Sequence, residues 1–140
     1  MDYQEMIRSR NAGNPFAQKL GIRIDRIAPG YARTCKTVEA DDRNPMEIAH
    51  GGLLFSMADV ACGSALASRG YHAVTLNAEY HFLRSARVGE TLYAEAQEAK
   101  CGKSICLYDV LIRNQDETPL GKASFTFFRT DDAEFSRETV

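Results

Sequence analysis

"NPMEIAHGGLLFSMADVACGSALASRG", residues 44–70, decides how this chain is read. It runs from an Asn-Pro loop through His50-Gly51-Gly52 into a segment whose only charged side chain before Ser68 is Asp59. Residues 52–68 have the length and small-residue content of a helix and are apolar on nearly every face. Such a helix is expected to be buried on all sides rather than laid on a surface. At 1.5 Å per residue it spans about 25 Å, the width of a small sheet. Ala58, Ala61, Gly63, Ala65 and Ala67 would let strands approach its backbone closely.

Upstream, residues 3–11 form a weakly amphipathic helix that stops before Gly13-Asn14-Pro15, and a short turn from Phe16 to Leu20 ends at Gly21. Residues 22–28 place apolar side chains at every second position before Pro29-Gly30, the pattern of a half-buried strand. Residues 31–39 pair back on them as a hairpin, and a polar loop from Asp41 to Asn44 leads into the helix. Downstream lie four strands, near 72–83, 89–100, 103–114 and 118–129. Their turn signals are Arg69-Gly70, Val88-Gly89, Cys101-Gly102 and Gln115-Asp116. The residues from Asp131 onward read as a frayed tail. One long buried helix followed by antiparallel strands is an α+β arrangement. The expectation is an antiparallel sheet of five to six strands wrapped around one central helix, in a single domain over 1–140 with its core at about 15–130.

Composition removes several function classes. With 44% apolar residues in 140, the chain builds a real core. Its formal charge of −2, with both signs interspersed, gives no support for nucleic-acid binding. No apolar run reaches about 18 residues, so no membrane helix is expected. Residues 1–10 are polar and lack an apolar export segment, which leads to the expectation of a cytoplasmic protein. Cys35, Cys62, Cys101 and Cys106 form no CxxC pair, and His50, His72 and His81 have no metal-ligand spacing. They are read as reduced thiols and no metal site is expected.

The run Asn44, His50-Gly51-Gly52 and Asp59-Val60-Ala61, with "FLRSARVGETL" at 82–92, resembles the signature of hotdog-fold acyl-CoA thioesterases of the phenylacetate-pathway (PaaI-like) type. Thr75 falls near a position that carries Ser or Thr in that family. The resemblance covers roughly residues 15–129. It implies a hotdog fold and hydrolysis of an acyl-CoA thioester without metal or organic cofactor. It also implies a homodimer with two sites at its interface, with such dimers pairing into a homotetramer.

The residues support that chemistry on their own terms. Backbone N–H groups in the first turn of a helix lack intrahelical partners, and the helix dipole there favours negative charge. Glycine lets a ligand reach that backbone. A Gly-Gly pair alone is an ordinary loop-to-helix junction; a buried helix with a lone acid makes it a candidate oxyanion site at Gly51 and Gly52. Asn44 supplies a further donor or positions water, and His50 fixes the loop. Asp59 is the strongest clue, because a carboxylate in an apolar segment is costly unless it is partnered. It reads as a base or nucleophile, the alternative being a structural Asp bonded to a strand amide or an Arg. Alternation along 74–82 puts Val74, Leu76, Ala78, Tyr80 and Phe82 on one face and Thr75, Asn77, Glu79 and His81 on the other. Thr75 is read as orienting Asp59 or its water, the alternative being part of a polar face turned to solvent or to a partner subunit. Arg84 and Arg87 are candidates for the CoA phosphates.

Gly52 and Asp59 are seven residues apart, hence on one helix face but about 10 Å apart along the axis. Reacting groups must come within about 3–3.5 Å. Composite sites follow as the expectation, with Asn44 and Gly51 from one subunit and Asp59 and Thr75 from the other. Two other functions remain open at this stage. One is a hydratase or dehydratase on acyl thioesters, which would want a catalytic His beside the acid. The other is a non-catalytic acyl-CoA-binding domain.

Overall fold

The computed structural model describes residues 1–130; the expected tail from Asp131 lies outside the described residues. Helix α1 (Tyr3–Ala12) and helix α2 (Pro15–Leu20) precede strands β1 (Arg23–Ala28) and β2 (Tyr31–Thr37). A 3₁₀ turn (Ala40–Asp42) leads to the long helix α3 (Gly51–Ala67). Strands β3 (Ala73–Phe82), β4 (Thr91–Cys101), β5 (Ile105–Asn114) and β6 (Pro119–Arg129) complete the chain. Every strand pair is antiparallel and the sheet order is β1-β2-β4-β5-β6-β3, so β3 crosses to the far edge beside β6. A six-stranded antiparallel sheet around one central helix is the hotdog arrangement that the resemblance implies.

The two short helices are set by their caps. Asp2 accepts the Glu5 N–H at the start of α1, and Asn14 accepts the Ala17 N–H at the start of α2. Gly21 ends α2 in the left-handed region at φ 70°.

The core forms where alternation in the strands meets one side of α3. Leu92, Ala94 and Ala96 of β4, alternate residues of β5 from Cys106 to Ile112, and Ala123, Phe125 and Phe127 of β6 are all buried. Against them pack Leu53, Leu54, Met57, Ala58, Ala61, Cys62, Ala65 and Leu66. The alanines keep the helix close to the strands. Thr34, fully buried on β2, donates to the Met57 carbonyl at 2.9 Å and fixes the helix against the sheet. Truncating Met57 to Ala in such packing typically costs about 2–5 kcal/mol.

The helix is not buried on every side in the single chain. Gly52, Phe55, Ser56, Asp59, Val60, Gly63 and Ala67 stay open or half-open, three or four residues apart along one stripe. One sheet covers only part of a cylinder, so an all-apolar helix leaves a face over. The edge strand β3 is open too: Leu76 is 60% exposed and Phe82 59%, with Leu83 just beyond it at 58%.

The cysteines also depart from expectation. Cys101 and Cys106 are cross-strand partners at the β4–β5 turn, with Cα atoms 4.0 Å apart, and are joined as a disulfide. The tight Gly102 turn brings together two residues that the spacing alone did not pair. Cys35 and Cys62 are free and buried, and burial pushes the Cys62 thiol pKa well up. No helix among the described residues is long and apolar enough to cross a membrane.

Candidate active site

The loop before α3 is built around Asn44. Its side-chain oxygen accepts the N–H groups of Met46 (2.9 Å) and Ile48 (3.3 Å), while its own N–H donates to the Ile48 carbonyl at 2.7 Å. Two donors facing one end of the amide fix that end as oxygen, so the NH₂ group is turned away from the loop. Among the described residues it has no partner. Glu47 sits in the left-handed region at φ 63°, a conformation uncommon outside glycine and asparagine, which closes the loop tightly. The Ala49 N–H donates to the Ala86 carbonyl and ties the loop to the segment after β3.

His50 caps α3. Its Nδ1 accepts the Gly52 N–H at 2.8 Å, and its carbonyl accepts the Leu53 N–H. Gly52, expected to face the substrate, therefore has its amide committed. The Gly51 N–H has no partner among the described residues, so the open donor of the helix start belongs to Gly51. A cavity of about 350 Å³ lies here, lined by Asn44, Ile48, Gly51, Leu54, Phe82 and Arg84 among others. The Phe82 ring covers the helix start so closely that a Cβ on Gly51 would lie 2.9 Å from two ring carbons. Tyr80 stands next in an aromatic row, 4.2 Å from Phe82 and 6.2 Å from Phe55 between centroids. The Tyr80 phenol is buried without a partner, and this burial raises its pKa.

Asp59 and Thr75 form a second group. The Thr75 hydroxyl donates to Asp59 Oδ1 at 2.7 Å; the other carboxylate oxygen has no partner among the described residues. Strict alternation would have put Thr75 on the outer face with Asn77, Glu79 and His81. A bulge between Thr75 and Asn77 overturns that. Thr75 pairs with buried Phe127, whereas Asn77 pairs with Thr126, the next residue, and Leu76 is the extra one. Thr75 thus shares the helix side with Ala78, Tyr80 and Phe82. Bulges often re-aim a side chain beside a site.

The expected residues therefore gather in two places. Asn44, Gly51 and Arg84 line the cavity at the helix start, with His50 capping the helix behind them; Asp59 and Thr75 meet two turns along α3. Eight residues separate Gly51 from Asp59, about 12 Å along the axis. Among the described residues no group of three or more His, Cys, Asp or Glu is arranged to hold a metal. The sequence reading missed Lys36 and Asp42, whose ion pair underlies the loop. A lysine in register with Ala32 and Thr34 on one face of β2 was the available signal.

A family model described as the thioesterase superfamily matches residues 46–120. The acyl-coenzyme A thioesterase PaaI of Escherichia coli is 41% identical over 101 residues, covering 72% of each chain. The solved structure of the E. coli PaaI protein from the phenylacetic acid degradation operon superposes with TM-score 0.86 at 33% identity, covering 90% of this chain and 91% of that one. A hypothetical thioesterase of Streptococcus pneumoniae, solved with coenzyme A, is similar at TM-score 0.76 and 26% identity, over 82% of this chain and 97% of that one. That protein has also been solved with an Asp, and separately a Thr sixteen positions later, replaced by Ala. Sixteen is the separation of Asp59 and Thr75.

Proposed function

The chain belongs to the thioesterase superfamily, and from that membership we infer that it hydrolyses acyl-CoA thioesters to a free acid and CoA. The observation that carries the reading beyond membership is the pair of unused donors, the Gly51 N–H and the Asn44 NH₂ group, beside one cavity. A thioester carbonyl oxygen seated there gains negative charge as a nucleophile adds, so these donors stabilise the transition state more than the ground state. The Gly51 end of the helix dipole adds to the effect.

Asp59 supplies the other half of the chemistry. With Oδ1 held by Thr75, Oδ2 either takes a proton from an attacking water or itself adds to the carbonyl. In the first route the C–S bond breaks from the tetrahedral adduct and CoA leaves as a thiol with the proton returned. In the second, the C–S bond breaks to expel the CoA thiolate, which takes a proton from solvent, and water then cleaves the resulting mixed anhydride to the free acid and the Asp59 carboxylate. Arg84, exposed at the cavity mouth, is placed in this reading to meet a phosphate of CoA, with His50 and Gly52 shaping the loop that the substrate passes. Small acyl or aryl groups are the proposed range, with Leu54, Phe55, Tyr80 and Phe82 forming the apolar end.

The two groups are too far apart along α3 to act together within one chain. We therefore propose a homodimer in which antiparallel helices bring Asn44 and Gly51 of one subunit to Asp59 and Thr75 of the other. The open stripe of α3 and the apolar, unpaired edge of β3 support it, since exposed apolar edge strands tend to pair. Pairing of dimers into a tetramer is supported by Ile105, Leu107 and Phe128, exposed and close together on the outer face of β5 and β6. A cytoplasmic location belongs to the same reading, on the nature of the substrate alone. No organic cofactor is invoked. His50 Nδ1, committed to the Gly52 amide, makes a hydratase that needs a free histidine the weaker reading.

The test is purified protein with a thiol-reactive dye and a panel of acyl-CoAs. Thiol release supports hydrolysis. A change in double-bond absorbance without thiol release would favour the hydratase, and binding without turnover the non-catalytic domain.

A further inference from the structure

Lys36 is an anomaly in the core. It lies opposite fully buried Leu92 and shares the helix side of β2 with Ala32 and Thr34, positions that otherwise carry small or neutral side chains. The residue is only 8% exposed. An ammonium in such a place is costly unless an acid meets it. Asp42 does so at 3.2 Å, with a side chain that is itself only 8% exposed; Glu39, largely in solvent, stands at 3.9 Å. Room for the ammonium comes from Gly21, where a Cβ would lie 2.7 Å from Lys36 Nζ.

The acid is tied to the helix start through the backbone. Asp42 Oδ2 accepts the Glu39 N–H at 2.7 Å, which locks the 3₁₀ turn. The Asp42 carbonyl accepts the His50 N–H, also at 2.7 Å. His50 in turn caps α3 through Gly52 and directly precedes Gly51. Apart from the Arg43–Ala49 bridge and the Asn44 turn, this carbonyl is what holds the end of the loop to its beginning.

We propose that the buried Lys36–Asp42 ion pair is a positioning device for the Gly51 amide. Lys36 touches no substrate. It pins Asp42, Asp42 pins the His50 N–H, and the Gly51 N–H is thereby held at a fixed point beside the Asn44 amide. A core of apolar side chains would stabilise the sheet at least as well. What the ion pair adds is a rigid link between the floor of the sheet and a loop with little packing of its own. The proposal rests on the reading of Gly51 as the carbonyl donor. A displacement of about 1 Å at such a group costs roughly 10²-fold in rate.

The experiment compares wild type, Lys36→Arg, Lys36→Met and the near-isosteric Asp42→Asn. Each is measured for kcat and KM in thiol release, for melting temperature, and for amide hydrogen exchange at His50, whose N–H is bonded to the Asp42 carbonyl. Lys36→Met and Asp42→Asn are expected to lower kcat by about 10- to 100-fold with KM within about twofold, and to speed exchange at the His50 N–H while β4 and β5 keep their protection. Lys36→Arg, which keeps charge and reach, is expected to recover most of kcat. Should Lys36→Met fail to fold, Asp42→Asn carries the test alone. A lowered melting temperature with kcat and His50 exchange unchanged would overturn the proposal, since the pair would then be structural only. If His50 exchange responds as expected but the wild type releases no thiol from any acyl-CoA, the positioning device stands and the thioesterase reading falls.

Discussion

Thr75 on the edge strand and Asp59 at the middle of the central helix are joined by a hydrogen bond of 2.7 Å, made possible by a single extra residue, Leu76, in the strand. The bond does two things. It satisfies one oxygen of a carboxylate in an otherwise apolar helix, and it fixes the plane of the group, leaving the other oxygen without a partner among the described residues. The bulge, rather than the residue types alone, brings Thr75 to Asp59.

Replacing Asp59 with Asn is expected to lower kcat by about 10²–10⁴-fold, the usual contribution of a positioned base. The amide keeps the volume and still accepts from Thr75. The melting temperature should therefore stay close to that of wild type, and calorimetry beside the thiol assay checks both. Near-normal turnover by the folded variant would remove Asp59 from the chemistry.

Thr75→Ala should lower kcat by about 10- to 100-fold with little change in KM. A hydrogen bond to a charged group is worth roughly 1.5–3 kcal/mol, and each 1.4 kcal/mol is a factor of ten. Thr75→Ser, which keeps the hydroxyl, should restore most of the rate. Equal losses in both variants would point to the methyl group and to packing instead.

Gly51→Ala keeps the amide but puts a methyl group 2.9 Å from the Phe82 ring. Phe82 is more than half exposed, so the ring is expected to swing aside at little cost in stability. The displaced ring narrows the cavity, and KM should rise. In a Phe82→Ala background, Gly51→Ala should raise KM less than it does alone, because the two effects share a contact. Additive effects on KM would show that the clash is not the cause.

These particulars mark how far the sequence carries. The long apolar helix, read at 52–68 and found at Gly51–Ala67, and the antiparallel strands were legible because apolar runs, alternation and turn residues are local properties. So were Asp59, Gly51 and Asn44, each standing out by chemistry against its surroundings. Thr75 was named but set on the wrong face, since alternation counts residues and a bulge inserts one without any mark in composition. The open stripe of α3 was also hidden: an all-apolar helix looks the same whether its own sheet or another surface covers its last side. Cys101 and Cys106 needed the β4–β5 register to become neighbours. Lys36 and Asp42 needed the loop path, which no pattern over a few residues describes.

The central claim is that the donors around Gly51 and the acid at Asp59 act across a subunit boundary, and complementation tests it most directly. Asn44→Ala and Asp59→Ala homodimers should each be nearly inactive. Unfolded, mixed in equal amounts and refolded together, half of the dimers become mixed. An isologous interface gives each mixed dimer one intact site and one doubly mutated site. Thiol release should then return to about a quarter of the wild-type rate. If heterodimers form, by native mass spectrometry, yet the mixture stays as inactive as its parents, the site lies within one chain and the composite account is wrong.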